Sequence, residues 1–351
     1  MNDWPDWLLW PDYNTRVVLA GTSLLGASSG LVGCFAVLRR RALMGDALAH
    51  ATLPGVALAF LVWGERSLPV LLFGALVTGV MGVAVVAMLR FATRTKEDAA
   101  IGIVLGVASA IGFVLLRWIQ SHSSSGSKAG LDSYILGKTA GMIASDVYLI
   151  AGVSGACLVV LLLLYKEFKA IAFDPGFARA QGWPSLTLDF LLTGLIALAV
   201  VVGLPAVGGL LITALLIVPA VSARFWTDGL GRMLTVSSIF GAVVAASGTA
   251  LSSRYEFSPA GPVIILVAAS LFVVSMLLAP RRGVVARVLA VAQFRRRLAR
   301  QKLLRTIALL AEEMRASDLS ITIEQLDGGR RNRRSGAAFR SLILYGLLKP
   351  A

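Results

Sequence analysis

Long apolar stretches separated by short polar connections dominate the first 280 residues of the chain. Residues 17–38, 147–164 and 263–279 contain no charged side chain. About 20 residues at a rise of 1.5 Å each cross the hydrocarbon core of a membrane, so stretches of this length predict membrane-spanning helices. The apolar positions run continuously instead of alternating, which favours helices over the strands of a closed barrel.

The pattern predicts about nine spans and an all-α polytopic membrane protein. Glycine, alanine and serine recur within the spans, and small residues let helix backbones approach closely, which predicts a compact bundle. The predicted spans are 15–38, 44–63, 68–89, 98–117, 146–165, 186–203, 206–223, 232–251 and 261–279. The seventh is short and bounded by Pro205 and Pro219, so a broken or partly re-entrant helix is an open alternative there.

Charge divides the chain into three parts. Only 15% of the residues are charged, against about 25% in a typical soluble domain. Residues 281–351 hold 16 of the 33 Lys and Arg residues but 5 of the 19 Asp and Glu residues. We predict a tryptophan-containing periplasmic interfacial segment at 1–14, a transmembrane domain at 15–280 and a basic helical cytoplasmic tail at 281–351. Basic residues also concentrate in alternate connections, such as 39–41 and 90–96, which places the N-terminus outside and the C-terminus in the cytoplasm.

Asp46 and His50 form the first candidate site. They lie at i and i+4 near the start of the second span, so they share one helix face. Ionisable groups within a span are costly and mark ion routes, and a carboxylate with a neutral imidazole suits Zn²⁺, Mn²⁺ or Fe²⁺. From spacing alone, an acid that favours the helix dipole beside a packed histidine is an equally good interpretation.

A short helix is predicted between the fifth and sixth spans. Asp174 suits its N-cap, Pro175 its first position and Gly182 its C-terminal stop. Such a helix either docks a partner or simply connects two spans. The seventh span carries a further motif, in which Thr213 either lines a path or bonds its own helix and Pro219 bends or ends the helix.

The sequence lacks the motifs of the common nucleotide-dependent and hydrolytic enzymes. The phosphate-binding pattern GxxxxGK[ST] does not occur, so the chain should not hydrolyse ATP by that mechanism. Serine-elbow and HExxH motifs are also absent. We therefore do not expect an enzyme.

Four segments together resemble the permease subunits of ABC importers for zinc, manganese and iron. Residues 43–55 are similar to the second-span signature of that family, and 97–103 to the start of its fourth span. Residues 174–182 resemble its ATPase-contacting coupling helix, and 206–220 its late-span motif. The segments occur in the family's order within residues 15–280.

The resemblance implies an ATP-driven importer that moves Mn, Zn or Fe into the cytoplasm across the inner membrane of a bacterium, surrounded by membrane lipids. It implies three partners: a cytoplasmic dimer of ABC ATPases, a second permease subunit, and a periplasmic or lipid-anchored metal-binding protein. The metal is substrate, and no permanently bound cofactor is expected. Asp46 and His50 match positions that coordinate or gate metal. The implied ATPase-coupling residues are Asp174, Pro175, Phe177, Ala178, Arg179 and Gly182, and the span-seven motif is Gly208, Thr213 and Pro219.

The tail departs from the family, whose members mostly end soon after the last span. Residues 284–315 have the pattern of a basic amphipathic helix, and the order of elements after it faintly resembles the helical part of a winged-helix domain. Attraction to anionic lipids or docking to the ATPase is favoured over DNA binding.

Two other transport functions are alternatives. An ABC permease for a siderophore or cobalamin would need aromatic and polar contacts to a bulky ligand, which a lone Asp46–His50 pair does not supply. A secondary metal transporter would have no use for a capped helix that docks an ATPase. A membrane-tethered regulator, a fourth alternative, would lose promoter binding and keep uptake if residues 284–351 were deleted.

Overall fold

The computed structural model describes residues 13–64, 67–122, 137, 139–254, 259–280 and 282–313. Within these ranges the chain is helical, with a short 3-10 turn at Thr139–Gly141. The α-helices are α1 (Tyr13–Leu38), α2 (Met44–Trp63), α3 (Leu68–Ala92), α4 (Glu97–His122), α5 (Ala144–Leu163), α6 (Tyr165–Phe173), α7 (Pro175–Ala180), α8 (Ser185–Val207), α9 (Gly209–Trp226), α10 (Leu230–Arg254), α11 (Ala260–Leu278) and α12 (Val284–Glu313).

Nine helices of the described part, α1 to α5 and α8 to α11, are long and apolar enough to cross a membrane. This confirms the all-α fold and the predicted number of spans. The chain divides into two compact units, residues 1–276 and 277–351. The first holds the bundle, and the second holds the basic helix α12, which begins at Val284.

The structure corrects two predicted boundaries. Span six does not end before Pro205, because Pro205 lies inside α8, and the chain breaks instead at Gly208. Gly208 has φ +86°, a conformation that glycine adopts without the steric cost of a Cβ atom. The seventh span is one uninterrupted helix with Pro219 inside it. The fourth span runs on through His122, five residues beyond its predicted end at residue 117.

Helix α1 lies at the centre of the bundle and contacts α5, α8, α9 and α10. Glycines bring its backbone against its neighbours: a Cβ atom on Gly26 would overlap the carbonyl of Gly241 in α10, and one on Gly33 would overlap the carbonyl of Leu216 in α9. The Ser237 hydroxyl donates to the Gly30 carbonyl across the same interface, at 2.6 Å. Small residues therefore set these distances between helix axes, as membrane bundles require.

The second tight interface joins α2 to α3 and α4. Gly55 of α2 and Gly74 of α3 each face the other's backbone, and a Cβ atom on either would clash. Gly112 of α4 lies against Leu53 and Pro54. Helix α2 is thereby buried along most of its surface, which makes any exposed polar position on it noteworthy.

We expect Gly33→Ala to destabilise the bundle, because the added methyl group meets backbone that cannot rotate away. Overpacking of this kind costs about 1–3 kcal/mol. Gly152→Ala in α5 is the matched control, since its Cβ atom would have open space and alanine favours a helix. Thermal unfolding in detergent should show a lower Tm for Gly33→Ala only, and equal Tm values would contradict the close approach.

Candidate functional site

Asp46 and His50 lie on one face of α2, as their spacing predicted. The distance from His50 Nε2 to Asp46 Oδ1 is 3.8 Å, which is too long for a hydrogen bond. Two donors bound to one ion at the tetrahedral angle, about 2.1 Å from it, lie about 3.4 Å apart. A small side-chain rotation would therefore let both atoms bind the same ion.

The pair is partly open to its surroundings, although α2 is mostly buried. In a single copy of the chain, 34% of the His50 side chain and 44% of the Asp46 side chain are exposed. The other ring nitrogen of His50, Nδ1, is buried and has no hydrogen-bond partner among the described residues. No group of three or more His, Cys, Asp or Glu residues that could hold a metal occurs in that part of the chain. One chain therefore brings two possible donor side chains together here, fewer than the three or four protein ligands of a typical zinc site.

Pro54 leaves one backbone carbonyl of α2 without its usual helical hydrogen bond. It lies inside α2, four residues after His50, and proline has no N–H group to donate to the carbonyl at i−4. The carbonyl of His50 therefore loses its helical hydrogen bond. Gly112 packs against the Pro54 ring, which holds this irregular turn between α2 and α4.

The span-seven motif packs directly behind the pair. Gly45, next to Asp46, faces Leu216 and Thr213 of α9. One turn further, Gly209 at the start of α9 faces Ala49. The Thr213 hydroxyl donates to the carbonyl of Leu210 in its own helix at 3.0 Å. Of the two roles predicted for Thr213, the structure therefore shows the hydrogen bond within its own helix. Gly208 lets α8 turn back into α9 at this point.

The predicted short helix forms as α7 with the predicted ends. The Asp174 carboxylate accepts hydrogen bonds from the amides of Gly176 and Phe177, both at 2.9 Å, and Pro175 follows as the first helical residue. Gly182 ends the segment with φ +82°. Because the cap is internal to the segment, α7 keeps its shape without help from a partner.

Helix α7 has one buried and one exposed side. Ala178 is fully buried, and α7 contacts α6 and α8. The rings of Phe173, Phe177 and Trp183 are each more than a third exposed. Exposed aromatic side chains grouped around a small, firmly seated helix are typical of a protein-docking surface.

An ion network, which the sequence did not reveal, joins several helix ends near α2. Asp189 of α8 accepts from Arg39 at 3.0 Å and from Arg41 at 2.8 Å through one oxygen. Arg41 also pairs with Glu97 of α4, and Arg90 of α3 pairs with Glu97 at 3.2 Å. We call Arg39, Arg41, Arg90, Glu97 and Asp189 the inner ion network. Burial lowers the pKa of Arg39, and the charge of Asp189 opposes that shift.

The residues of the inner ion network can be recognised in the sequence when basic and acidic residues at the ends of different spans are considered together. The run Arg39-Arg40-Arg41 lies in a predicted connection, and Glu97 and Asp189 lie near the starts of the predicted fourth and sixth spans. Three cationic side chains at one span end require partners when they are buried, and the acids at neighbouring span starts are the nearest in topology. The network also places the 39–41 and 90–97 connections at one end of the bundle, which agrees with the predicted alternation.

Comparison with known proteins places these features in a family. The model of the ABC 3 transport family matches residues 12–279. The manganese transport system membrane protein MntC of Bacillus subtilis (strain 168) is 43% identical over 325 residues, covering 93% of this chain and 74% of that protein. The zinc transport system membrane protein TroC of Treponema pallidum (strain Nichols) is 45% identical over 276 residues, covering 79% of this chain and 92% of that protein.

A solved structure agrees with the architecture. PsaBC from Streptococcus pneumoniae, determined in complex with a Fab, has a chain similar to this one with a TM-score of 0.69 and 32% sequence identity. The similarity covers 79% of this chain and 95% of that chain. The alignment with MntC covers 325 residues of this chain, whereas the family match ends at residue 279. The aligned part must therefore include residues beyond 279, so the similarity to MntC continues into the basic tail.

We expect Asp174→Ala to loosen α7, because the amides of Gly176 and Phe177 lose their acceptor. An N-cap replaced by alanine costs about 1 kcal/mol, or about fivefold in a local opening equilibrium. Hydrogen exchange of peptides covering 175–180 should be faster by about that factor. Asp174→Asn is the control, since asparagine caps equally well, and equal acceleration in both variants would contradict the cap.

Proposed function

The chain belongs to the ABC 3 transport family, and from this membership we propose that divalent transition-metal ions cross the membrane beside Asp46 and His50. It is the membrane-spanning permease subunit of a metal importer, since relatives more than 40% identical over most of the chain are named as manganese and zinc transport proteins. The substrate is a Mn, Zn or Fe ion. ATP hydrolysis belongs to a partner subunit.

The partly exposed ionisable pair on a mostly buried helix is the observation that carries this proposal. A carboxylate that faced lipid would be costly, so Asp46 must face a water-filled path or another protein surface. A transition-metal ion would exchange part of its hydration shell for Asp46, His50 Nε2 and the free His50 carbonyl. Few protein donors make such a site transient, which transport needs because the ion must also leave.

A second permease subunit completes the site in this proposal. The exposed strip of α2 that carries Asp46 and His50 cannot be covered by the described part of the same chain. If a second copy packs on this strip with the two-fold axis passing through it, Asp46 and His50 of both copies lie near the axis. Two carboxylates and two imidazoles are enough donors for a four-coordinate ion.

The helix α7 is the proposed docking point for the ATPase. Phe177 of α7 and the flanking Phe173 and Trp183 are exposed while Ala178 is buried, so a partner could press on α7 without unfolding it. Asp174, Pro175, Phe177, Arg179 and Gly182 form or flank this surface. The end of the bundle that carries α7 and the arginine-rich connections then faces the cytoplasm, the N-terminus faces outside, and a periplasmic or lipid-anchored protein delivers the metal there.

We expect Asp46→Ala and His50→Ala to lower metal uptake by at least tenfold in proteoliposomes that contain the importer complex. Each variant removes one of the two side-chain donors that one chain supplies. The chain contains only two histidines, so His122→Ala is a matched control, and Asp98→Ala controls for loss of an acid at a span start. Radioactive Mn²⁺ and Zn²⁺ uptake per folded complex is the measurement. Uptake that is unchanged in both site variants would refute the proposed path.

A further inference from the structure

We infer that Arg39 and Asp189 are positioning residues that couple the α7 segment to the turn carrying Asp46. This rests on the proposed function, in which an ATPase acts on α7 and metal passes Asp46. The inner ion network makes a continuous connection between those two places, and no assigned role accounts for it. Its members act through each other and do not touch the metal.

The first link joins the α6–α7 segment to Arg39. The Arg39 guanidinium donates from one nitrogen to the carbonyl of Ile171 at 3.3 Å and from the other to Asp189 at 3.0 Å. Ile171 lies three residues before Asp174, the N-cap of α7, and is buried. A displacement of α7 therefore moves an acceptor that Arg39 holds.

The α6 helix is seated firmly enough to transmit such a displacement. Phe168 is fully buried and packs edge-on against Phe35 of α1, with ring centroids 5.9 Å apart. Packed aromatic pairs and buried side chains make a segment move as a rigid body, since interiors deform little. The short helix α7 follows α6 with only Asp174 between them.

The second link joins Asp189 to the start of α2 through Arg41. One Asp189 oxygen accepts from both Arg39 and Arg41, so a shift of one arginine changes the position of the other. The Arg41 amide donates to the Ala36 carbonyl at 2.8 Å, and the Arg41 carbonyl accepts from the Met44 amide at 3.0 Å. Arg41 is thus attached by its backbone to the end of α1 and to the first residue of α2, two positions before Asp46.

The third link extends the connection to α4 and α3. Arg41 pairs with Glu97 at the start of α4, and Glu97 also pairs with Arg90 at the end of α3. These two helices form the tight interface with α2 around Pro54 and Gly55. A small open cleft is lined by Arg41, Glu97 and Asp189 together with Arg90, so the network borders open space on one side.

The chemistry suits a transmitting element rather than a static anchor. Arginine presents donors in a fixed fork, so Arg39 can hold two acceptors at a defined angle, which lysine cannot. Breaking one contact of a buried pair is expensive, so the network favours moving as a unit. The neighbouring Arg40 is exposed and belongs to none of these ion pairs, which makes it a matched control.

The test is the number of metal ions imported per ATP hydrolysed by the complete importer in proteoliposomes, with Mn²⁺ as the probe. In Arg39→Gln and Asp189→Asn we expect this ratio to fall at least fivefold while ATP hydrolysis stays within twofold of wild type. Arg40→Gln should keep the wild-type ratio. Mn²⁺ binding to the purified permease should stay within twofold in every variant, because the network does not contact the pair.

Arg39→Lys is the control for a variant that fails to fold. It keeps the positive charge beside Asp189 but loses the planar guanidinium that donates to two acceptors at once. We expect this variant to remain folded at the assay temperature and to lower the ratio at least threefold. A wild-type ratio in folded Arg39→Lys would overturn the inference. So would uptake and hydrolysis falling in equal proportion, which is the signature of a structural role alone.

The same experiment separates the inference from the proposed function. If the wild-type complex imports no Mn²⁺ and no Zn²⁺, the proposed function fails. If the wild type imports metal and the Arg39 and Asp189 variants match its ratio, the proposed function stands and only the coupling role is wrong.

Discussion

Backbone contacts at glycine hold α1 in the centre of the bundle, and the candidate site depends on them. The contact between Gly33 and Leu216 brings α9 close to α1, and Gly45 then lets α9 lie behind the turn that carries Asp46. On the other side, Gly55 and Gly74 draw α3 against α2. In lipid, where the hydrophobic effect does not drive helices together, close approach of this kind is a principal source of packing energy. The ionisable pair is therefore presented by a rigid frame.

Two sets of buried or half-buried ionisable side chains differ in whether they have partners within the chain. Arg41 is almost fully buried and pairs with two carboxylates, and each of these has a second arginine partner, Arg39 for Asp189 and Arg90 for Glu97. Asp46 and His50 lie 3.8 Å apart and bond neither to each other nor, at Nδ1, to any described group. Satisfied charges stabilise and position helices. Asp46 and His50 lie on a partly exposed strip and are available to a ligand, so the two sets of side chains suggest different functions.

Much of the fold could be predicted from sequence because the membrane allows few solutions. Apolar runs of about 20 residues must be helices, and the i, i+4 spacing of Asp46 and His50 fixes their common face. The ends of α7 followed from Asp174, Pro175 and Gly182, each of which acts locally. The break at Gly208 was misplaced because Pro205 was read as a helix end, whereas a proline near the end of a helix is tolerated once its neighbours are packed.

Long-range pairing could not be predicted, since it depends on how helices assemble. The basic run at 39–41 indicates that partners are needed, but it does not identify the partner of Arg41 as Asp189, which is 148 residues away, or that of Arg39 as the carbonyl of Ile171. The role of Thr213 was open for the same reason, and its hydroxyl bonds within its own helix. The similarity to MntC beyond the membrane domain indicates that the basic tail is a shared feature of at least one relative.

The most direct test of the metal path is the X-ray absorption spectrum of Zn²⁺ bound to the purified, tag-free permease. The chain has two histidines, so imidazole scattering can come only from His50 or His122. We predict nitrogen and oxygen neighbours at about 2.0–2.2 Å with outer-shell imidazole scattering that is lost in His50→Ala and kept in His122→Ala. Imidazole scattering that persists in His50→Ala would contradict a metal site at this pair.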